Sequence, residues 1–163
     1  MTRFPASAKI KPTKIVGFYM IKFSTKSQYG LRAMVYLAKC KNKICSLKTI
    51  SQTEGISFDY LEKIISKLEK AGLIKAKKGV QGGYFLAKSP TKIKTGEIIR
   101  ILEGELTLVK CLPRSIPKVV GRGITRKYIC PREKKCLTKK FWKKIQNSLD
   151  SVLDSLTLAD LIK

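Results

Sequence analysis

The chain has 163 residues, with 35 Lys and Arg against 11 Asp and Glu, a formal net charge of +24, and no His. A hydrophobic fraction of 44% excludes a disordered polycation; the charge sits on a folded body, whose self-repulsion points to a polyanionic partner, either nucleic acid or an anionic membrane face. The lack of His excludes His-dependent triads and HExxH zinc hydrolases, no apolar run approaches the ~20 residues of a membrane span, and five cysteines, an odd number, fit reduced thiols or metal ligands better than a disulfide framework.

Residues 1–19 contain Pro5 and Pro12, no acid and no sustained periodicity. They are expected to be a basic extension, either a genuine arm or sequence upstream of a start at Met20. Ser24 to Lys41 is predicted helical: Ser24 or Thr25 caps it, Leu31, Met34, Val35 and Ala38 share one face, and Gly30 is its weak point. A shorter helix, Ser46 to Glu54, turns Leu47 and Ile50 inward and stops at Gly55. Ser57 caps a third helix, in which Leu61, Ile64, Ile65 and Leu68 again fall at helical spacing before Ala71 and Gly72. Two helices joined by a short Gly-containing turn outline a helix-turn-helix.

Two extended runs, Leu73 to Lys78 and Tyr84 to Lys88, flank the turn Gly79-Val80-Gln81-Gly82-Gly83, and so predict a β-hairpin in the position of a wing. Ser89-Pro90 ends it, and Thr95 to Leu102 forms another short helix terminated by Gly104. Residues 110–144 then carry 13 Lys or Arg against one acid, Glu133, together with three of the five cysteines. The last helix, Thr138 to Leu156, spaces Trp142, Ile145, Leu149, Val152 and Leu156 alternately by three and four, the seam of a helix that packs on a symmetry mate. Thr157 caps a final short turn, Leu158 to Ile162. The expected fold is therefore mainly α with a small β-hairpin wing. Its parts are a basic extension (1–19), a winged helix-turn-helix domain (20–104), a basic cysteine-containing loop (105–137) and a dimerisation helix (138–163).

In chain order these stretches are FSTKSQYGLRAMVYLA (23–38), SLKTISQTEGIS and YLEKIISKLEKAGLI (46–74), KGVQGGYFLAKSP (78–90), TGEIIRILEG (95–104), and CLTKKFW and LDSVLDSLTLADLI (136–162). Together they resemble the Rrf family of bacterial winged helix-turn-helix transcriptional regulators, the IscR/NsrR/CymR-like proteins. The resemblance implies a homodimer on a two-fold related, double-stranded DNA operator, with the C-terminal helix as the dimer bridge. It implies no enzyme, and no carboxylate pair, nucleophile-base set or phosphate-cradling loop is visible. A cytoplasmic location without membrane association is expected.

The second helix of a helix-turn-helix lies in the major groove with its N-terminal residues toward base edges. With Leu61 committed to the core, Ser57, Asp59, Tyr60, Glu62 and Lys63 are left to face DNA. A carboxylate there accepts from cytosine N4 only where cations such as Lys63 and Lys67 offset phosphate repulsion; the resemblance favours Glu62 for this role. Asp59 has an alternative as first-turn charge partnered by Lys63. On the wing, Lys77 and Lys78 neutralise phosphates, Gln81 hydrogen bonds in the minor groove, and Gly82 and Gly83 let the backbone approach the sugar-phosphate wall, unless they serve only a tight turn. Lys26 and Arg32, with Tyr29, are candidates for backbone contacts, and Tyr29 is equally a core candidate.

Cys111, Cys130 and Cys136 occupy the place where cluster-bearing members of the family hold three thiolate ligands. The resemblance implies an iron-sulfur cluster, [2Fe-2S] first; a zinc site and a bare thiol switch are the alternatives. Two departures stand out. Eighteen residues separate Cys111 from Cys130 where the family has a handful, and the fourth-ligand positions hold Lys139 and Gln28, neither a good iron ligand. Cys40 or Cys45, Glu133 or a small-molecule thiol could complete the set, although Cys40 and Cys45 fit better as small, partly buried apolar residues. Two further functions compete with a cluster-sensing regulator: a cluster-free winged protein controlled by a protein partner, and a non-specific basic nucleic-acid binder.

Overall fold

The computed structural model describes residues 23–40, 44–104, 106–109, 111–112 and 130–163; the expected basic extension, the start at Met20 and most of the basic loop lie outside the described residues. Helix α1 (Thr25–Lys39) begins at Ser24, whose backbone takes the extended N-cap conformation but whose hydroxyl makes no cap bond. The Ser24 amide instead donates to the Glu103 carboxylate at 2.6 Å, so the reciprocal arm of a capping box comes from 79 residues away. The buried face of α1 runs through Ser27, Gly30, Ala33, Met34, Leu37 and Ala38. That is a step round the helix from the predicted stripe, and Leu31 and Val35 are only partly covered. Gly30 explains the rotation: a Cβ there would lie 2.1 Å from Leu102 Cδ1 and 3.3 Å from Ile64 Cγ2. The residue that weakens the helix by propensity lets it approach two others.

Helix α2 (Leu47–Glu54) is capped by the Ser46 hydroxyl, which accepts the Thr49 amide at 3.1 Å, and it ends at Gly55 in the left-handed conformation. After a three-residue turn with buried Ile56, helix α3 (Phe58–Lys70) buries the four predicted residues, Leu61, Ile64, Ile65 and Leu68, each at most 1% exposed. Ser57 takes the N-cap position without a side-chain cap bond. Strands β1 (Ile74–Lys77) and β2 (Gly83–Leu86) pair antiparallel, Ile74 opposite Leu86 and Lys77 opposite Gly83. A 3-10 turn, Pro90–Lys92, leads into helix α4 (Thr95–Glu103), which buries Ile98, Ile99 and Leu102 and stops at Gly104. The architecture is a mainly helical winged helix-turn-helix, as expected, and among the described residues no helix is long and apolar enough to cross a membrane.

Helix α5 (Lys139–Ser155) is held to this body by polar groups. The Arg100 guanidinium forks onto Asp154 at 2.7 and 3.1 Å and reaches Asp150 at 3.4 Å. Asp150, 3% exposed, accepts from Gln146 Nε2 at 3.1 Å. Gln146, itself 3% exposed, donates to the Leu106 carbonyl at 2.9 Å and accepts the Leu108 amide at 3.0 Å, so the same network holds the chain that leads to Cys111. Beyond α5, Thr157 and Asp160 form the capping box of a 3-10 turn, Leu158–Leu161. The Leu158 amide donates to the Ile93 carbonyl at 2.8 Å and its side chain is fully buried in the common core.

The buried carboxylate of Asp150 makes Arg100 the half-buried end of a costly arrangement. Arg100→Met is expected to lower the unfolding free energy by about 1.5–3 kcal/mol in a urea titration, the range for a hydrogen bond to a charged group. Hydrogen exchange at the Leu108 amide should rise in Gln146→Leu and stay slow in the parent.

Candidate nucleic-acid interface and cysteine sites

Because α3 spends one face on the core, its remaining side chains project outward. Ser57, Asp59, Glu62, Lys63, Lys67 and Lys70 are exposed. Glu62, Lys63 and Lys67 line one 630 Å³ groove, whose other walls include Lys26, Tyr60 and Tyr84 of β2. The cations that a carboxylate needs beside DNA are thus in the same groove as Glu62. Lys77, Lys78 and Gln81 are exposed on the hairpin, and Val80 at its tip is fully exposed. Of the predicted residues, Lys26, Tyr60, Glu62 and Lys63 thus share one groove with Tyr84 of the wing strand.

Four of the predicted contact residues also have close neighbours within the protein. Tyr60 is half-buried, packed against the core and edge-on to Tyr29 with ring centroids 6.0 Å apart, so the aromatic pair joins α1 to α3. Arg32 is engaged within the protein: Nε binds Glu54 Oε2 at 2.9 Å, Nη2 donates to the Glu54 carbonyl, and the guanidinium lies 5.6 Å from the Tyr29 ring centroid. The two wing glycines stand where a side chain would not fit. A Cβ at Gly82 would lie 2.4 Å from the Lys77 carbonyl oxygen, and one at Gly83 would lie 2.5 Å from that of Cys45.

Tyr84 was not among the predicted residues, and its only signal in the sequence is an aromatic directly after two glycines. It sits at the junction of wing and recognition helix. Burial first, and then the carboxylates of Glu69 and Glu62, push its phenol above the ordinary value, so it stays neutral and keeps its O–H as a donor. Its backbone exchanges two hydrogen bonds with Cys45, at 3.0 and 2.9 Å, which adds a third extended segment to the hairpin.

Cys45 is also bonded to Cys40 in a disulfide, which corrects the expectation of two small packing residues and removes both from the pool of metal ligands. Cys111, Cys130 and Cys136 are free and half-buried. The Thr138 hydroxyl, 3.3 Å from the Cys136 sulfur, holds that thiol below its ordinary value, helped by the Thr138 amide. Lys139 is ion-paired with Glu133 at 2.9 Å. As donors, three thiols beside many cations suit an iron-sulfur cluster. The structure does not bring them together, and among the described residues no three His, Cys, Asp or Glu side chains stand close enough to hold a metal ion.

A two-helix reading head, a hairpin wing at its flank and a basic groove between them define a winged helix-turn-helix protein. The family model Rrf2, described as an iron-dependent transcriptional regulator, matches residues 23–163, and the chain belongs to that family of transcriptional regulators. It is 38% identical over 142 residues to the HTH-type transcriptional regulator CymR of Bacillus subtilis, covering 86% of this chain and 89% of that one. Among solved structures, T. potens IscR matches with a TM-score of 0.64 at 40% identity over 86% of this chain and 85% of the other. The structure of CymR, the global cysteine regulator of B. subtilis, gives 0.66 at 40% identity over 88% and 97%. These relatives are regulators and not enzymes.

The two kinds of wing residue are separable by measurement. Gly83→Ala is expected to lower stability by about 1–3 kcal/mol, because the added methyl meets backbone rather than a side chain that can move. Gln81→Ala should leave the unfolding midpoint unchanged and alter only DNA affinity.

Proposed function

We propose that the chain is a homodimeric, sequence-specific operator-binding regulator that works in the cytoplasm and reports iron-sulfur, redox or nitric oxide status through its C-terminal cysteines. The observation that carries the DNA reading is the shared groove of α3 and the wing root, in which Glu62 stands among Lys63 and Lys67. In this reading Ser57, Asp59, Glu62 and Lys63 face base edges in the major groove, with Tyr60 contributing its hydroxyl edge. Lys77, Lys78 and Lys26 neutralise phosphates, and Gln81, at the wing tip, enters the minor groove. Arg32 positions α1 and α2 for this task.

Dimerisation is supported by an apolar stripe on α5. Phe141, Ile145, Val152 and Leu156 are 57%, 38%, 57% and 42% exposed and fall four, seven and four residues apart. Within the predicted seam, Trp142 and Leu149 are half-buried, so the proposed contact turns toward Phe141. Val152→Asp is expected to convert a dimer to a monomer in light scattering and to reduce operator affinity at least tenfold, because a two-fold operator then engages one reading head at a time.

Duplexes selected from a randomised library test sequence readout. A recurrent palindromic motif is expected, with binding that weakens steeply as salt rises. Lys77→Ala or Lys78→Ala should weaken binding about equally for all sequences and reduce the salt slope by about one, whereas Glu62→Gln should relax preference at one position of each half-site. Equal binding of selected and random duplexes would sink the operator reading in favour of a non-specific basic binder.

Cys111, Cys130 and Cys136 are the proposed cluster ligands. A bound cluster would supply one-electron chemistry and sensitivity to oxidants. The chain's own contribution is three soft anionic donors, of which Cys136 is favoured as thiolate by Thr138, and a basic surround that offsets the cluster's negative charge. Protein purified without oxygen is expected to absorb in the visible and to carry iron and sulfide in stoichiometric amounts, both lost in Cys136→Ala. The separation of the three thiols favours a second reading, a cluster-free regulator. Colourless protein with full operator binding would establish it.

A further inference from the structure

Among the described residues, eight large apolar side chains are exposed, and six of them fall between Leu137 and Leu161. The other two, Phe58 and Val80, stand at the first residue of α3 and at the tip of the wing, the two places from which the proposed operator is read. Val80 occupies a turn, where exposure is ordinary. Phe58 opens a helix and is 45% exposed.

Nothing in the packing of the fold calls for an aromatic there. The two apolar positions that bracket a helix start, one before the cap and one a turn after it, are held by Ile56 and Leu61, both buried. Phe58 belongs neither to the core nor to the apolar residues packed against it, and among the described residues its ring pairs with no other. Phenylalanine is also a poorer helix former than the Leu, Lys and Glu that fill much of α3.

Position gives the ring a use. Helical side chains lean toward the N-terminus, so one at the first residue projects ahead of the helix, and in a helix-turn-helix that end enters the major groove. Glu62 lies four residues on and on the same side, so the ring flanks the carboxylate proposed to read a base. The apolar group in the major-groove pattern is the 5-methyl of thymine, and an apolar side chain is what meets it.

We propose that Phe58 is a specificity-determining residue of the operator interface, reading the 5-methyl group of a thymine in each half-site. The inference rests on the operator-binding reading and adds an apolar reader to Ser57, Asp59, Glu62 and Lys63, which are all polar. Polar readers separate bases by their donors and acceptors, whereas the ring separates thymine from bases without the methyl, because ring and methyl leave water together. The contact carries no charge and so releases no counterion.

The test uses the full chain and a duplex selected from the randomised library, in which each thymine in turn is replaced by deoxyuridine. The replacement keeps base pairing and removes one methyl. Affinity is measured by fluorescence anisotropy. For the wild type, one thymine in each half-site is expected to be sensitive, its replacement weakening binding about fourfold, the effect of withdrawing one buried methyl. Phe58→Ala should bind the thymine and uracil duplexes equally at that position with an unchanged salt slope, and Phe58→Leu should keep part of the difference. Val80→Ala should keep all of it, because the methyl is presented in the major groove and not to the wing. The wild-type comparison needs no variant to fold, and Phe58→Ala is expected to keep the unfolding midpoint because the ring is outside the core. A wild type indifferent to every replacement, or a sensitivity that persists undiminished in Phe58→Ala, overturns the proposal alone. Failure to select any sequence overturns the operator reading and this one with it.

Discussion

Leu61, Ile64, Ile65 and Leu68 carry α3 into the space between α1, α2, α4 and β1, and their complete burial is the constraint on which the reading surface depends. A helix fixed along one apolar stripe has no freedom to choose which other side chains meet solvent. Asp59, Glu62, Lys63, Lys67 and Lys70 are therefore presented as a set, and any slip of the helix would move all of them together. Gly30 contributes from the opposite side, because only a residue without Cβ lets α1 lie against Ile64 and Leu102 at this distance. The precision of the outer face is set by the packing of the inner one.

The charge of the protein is organised in a way that its total conceals. The recognition helix is not the most basic element. It mixes Asp59, Glu62 and Glu69 with Lys63, Lys67 and Lys70, and the acids influence Tyr84 on the neighbouring strand. Mixed charge on a helix in the major groove suits discrimination between bases, since donors and acceptors are both available. The like-charged excess of residues 110–144 suits attraction to any phosphate and the stabilisation of thiolates. In the proposed operator-binding reading, affinity and specificity fall to different parts of the chain.

Helix α5 shows how one helix can serve two neighbours. Its polar side chains Gln146, Asp150 and Asp154 are drawn onto α4 through Arg100, while Ile145, Val152 and Leu156 remain on the outer side. The fully buried side chains of the helix are Gln146 and Asp150, while Trp142, Leu149 and Leu153 are half-buried. A polar inner contact made of charge-assisted hydrogen bonds leaves the apolar residues available for another surface. Because Gln146 also grips the backbone at Leu106 and Leu108, the chain leading to Cys111, the helix that carries the apolar stripe and the domain that carries α3 share one network.

The order of elements was legible in the sequence because it depends on local chemistry. Period-3.6 apolar spacing marked α3 down to each buried residue, Ser46 and Gly55 marked the ends of α2, and the Gly-rich turn between extended runs marked the hairpin. Those signals act within a few residues and need no partner. What required the tertiary structure were the contacts between distant segments. Gly30 and Gly83 look like flexible or DNA-facing positions until Leu102 and the Cys45 carbonyl are placed beside them. Arg32 looks free until Glu54 meets it, and Cys40 and Cys45 look like packing residues until the wing pairs with Cys45. Side-chain type and spacing determine which face of each helix is apolar, whereas only the folded chain decides which backbone lies against a glycine, which carboxylate claims an arginine and which two thiols become one bond.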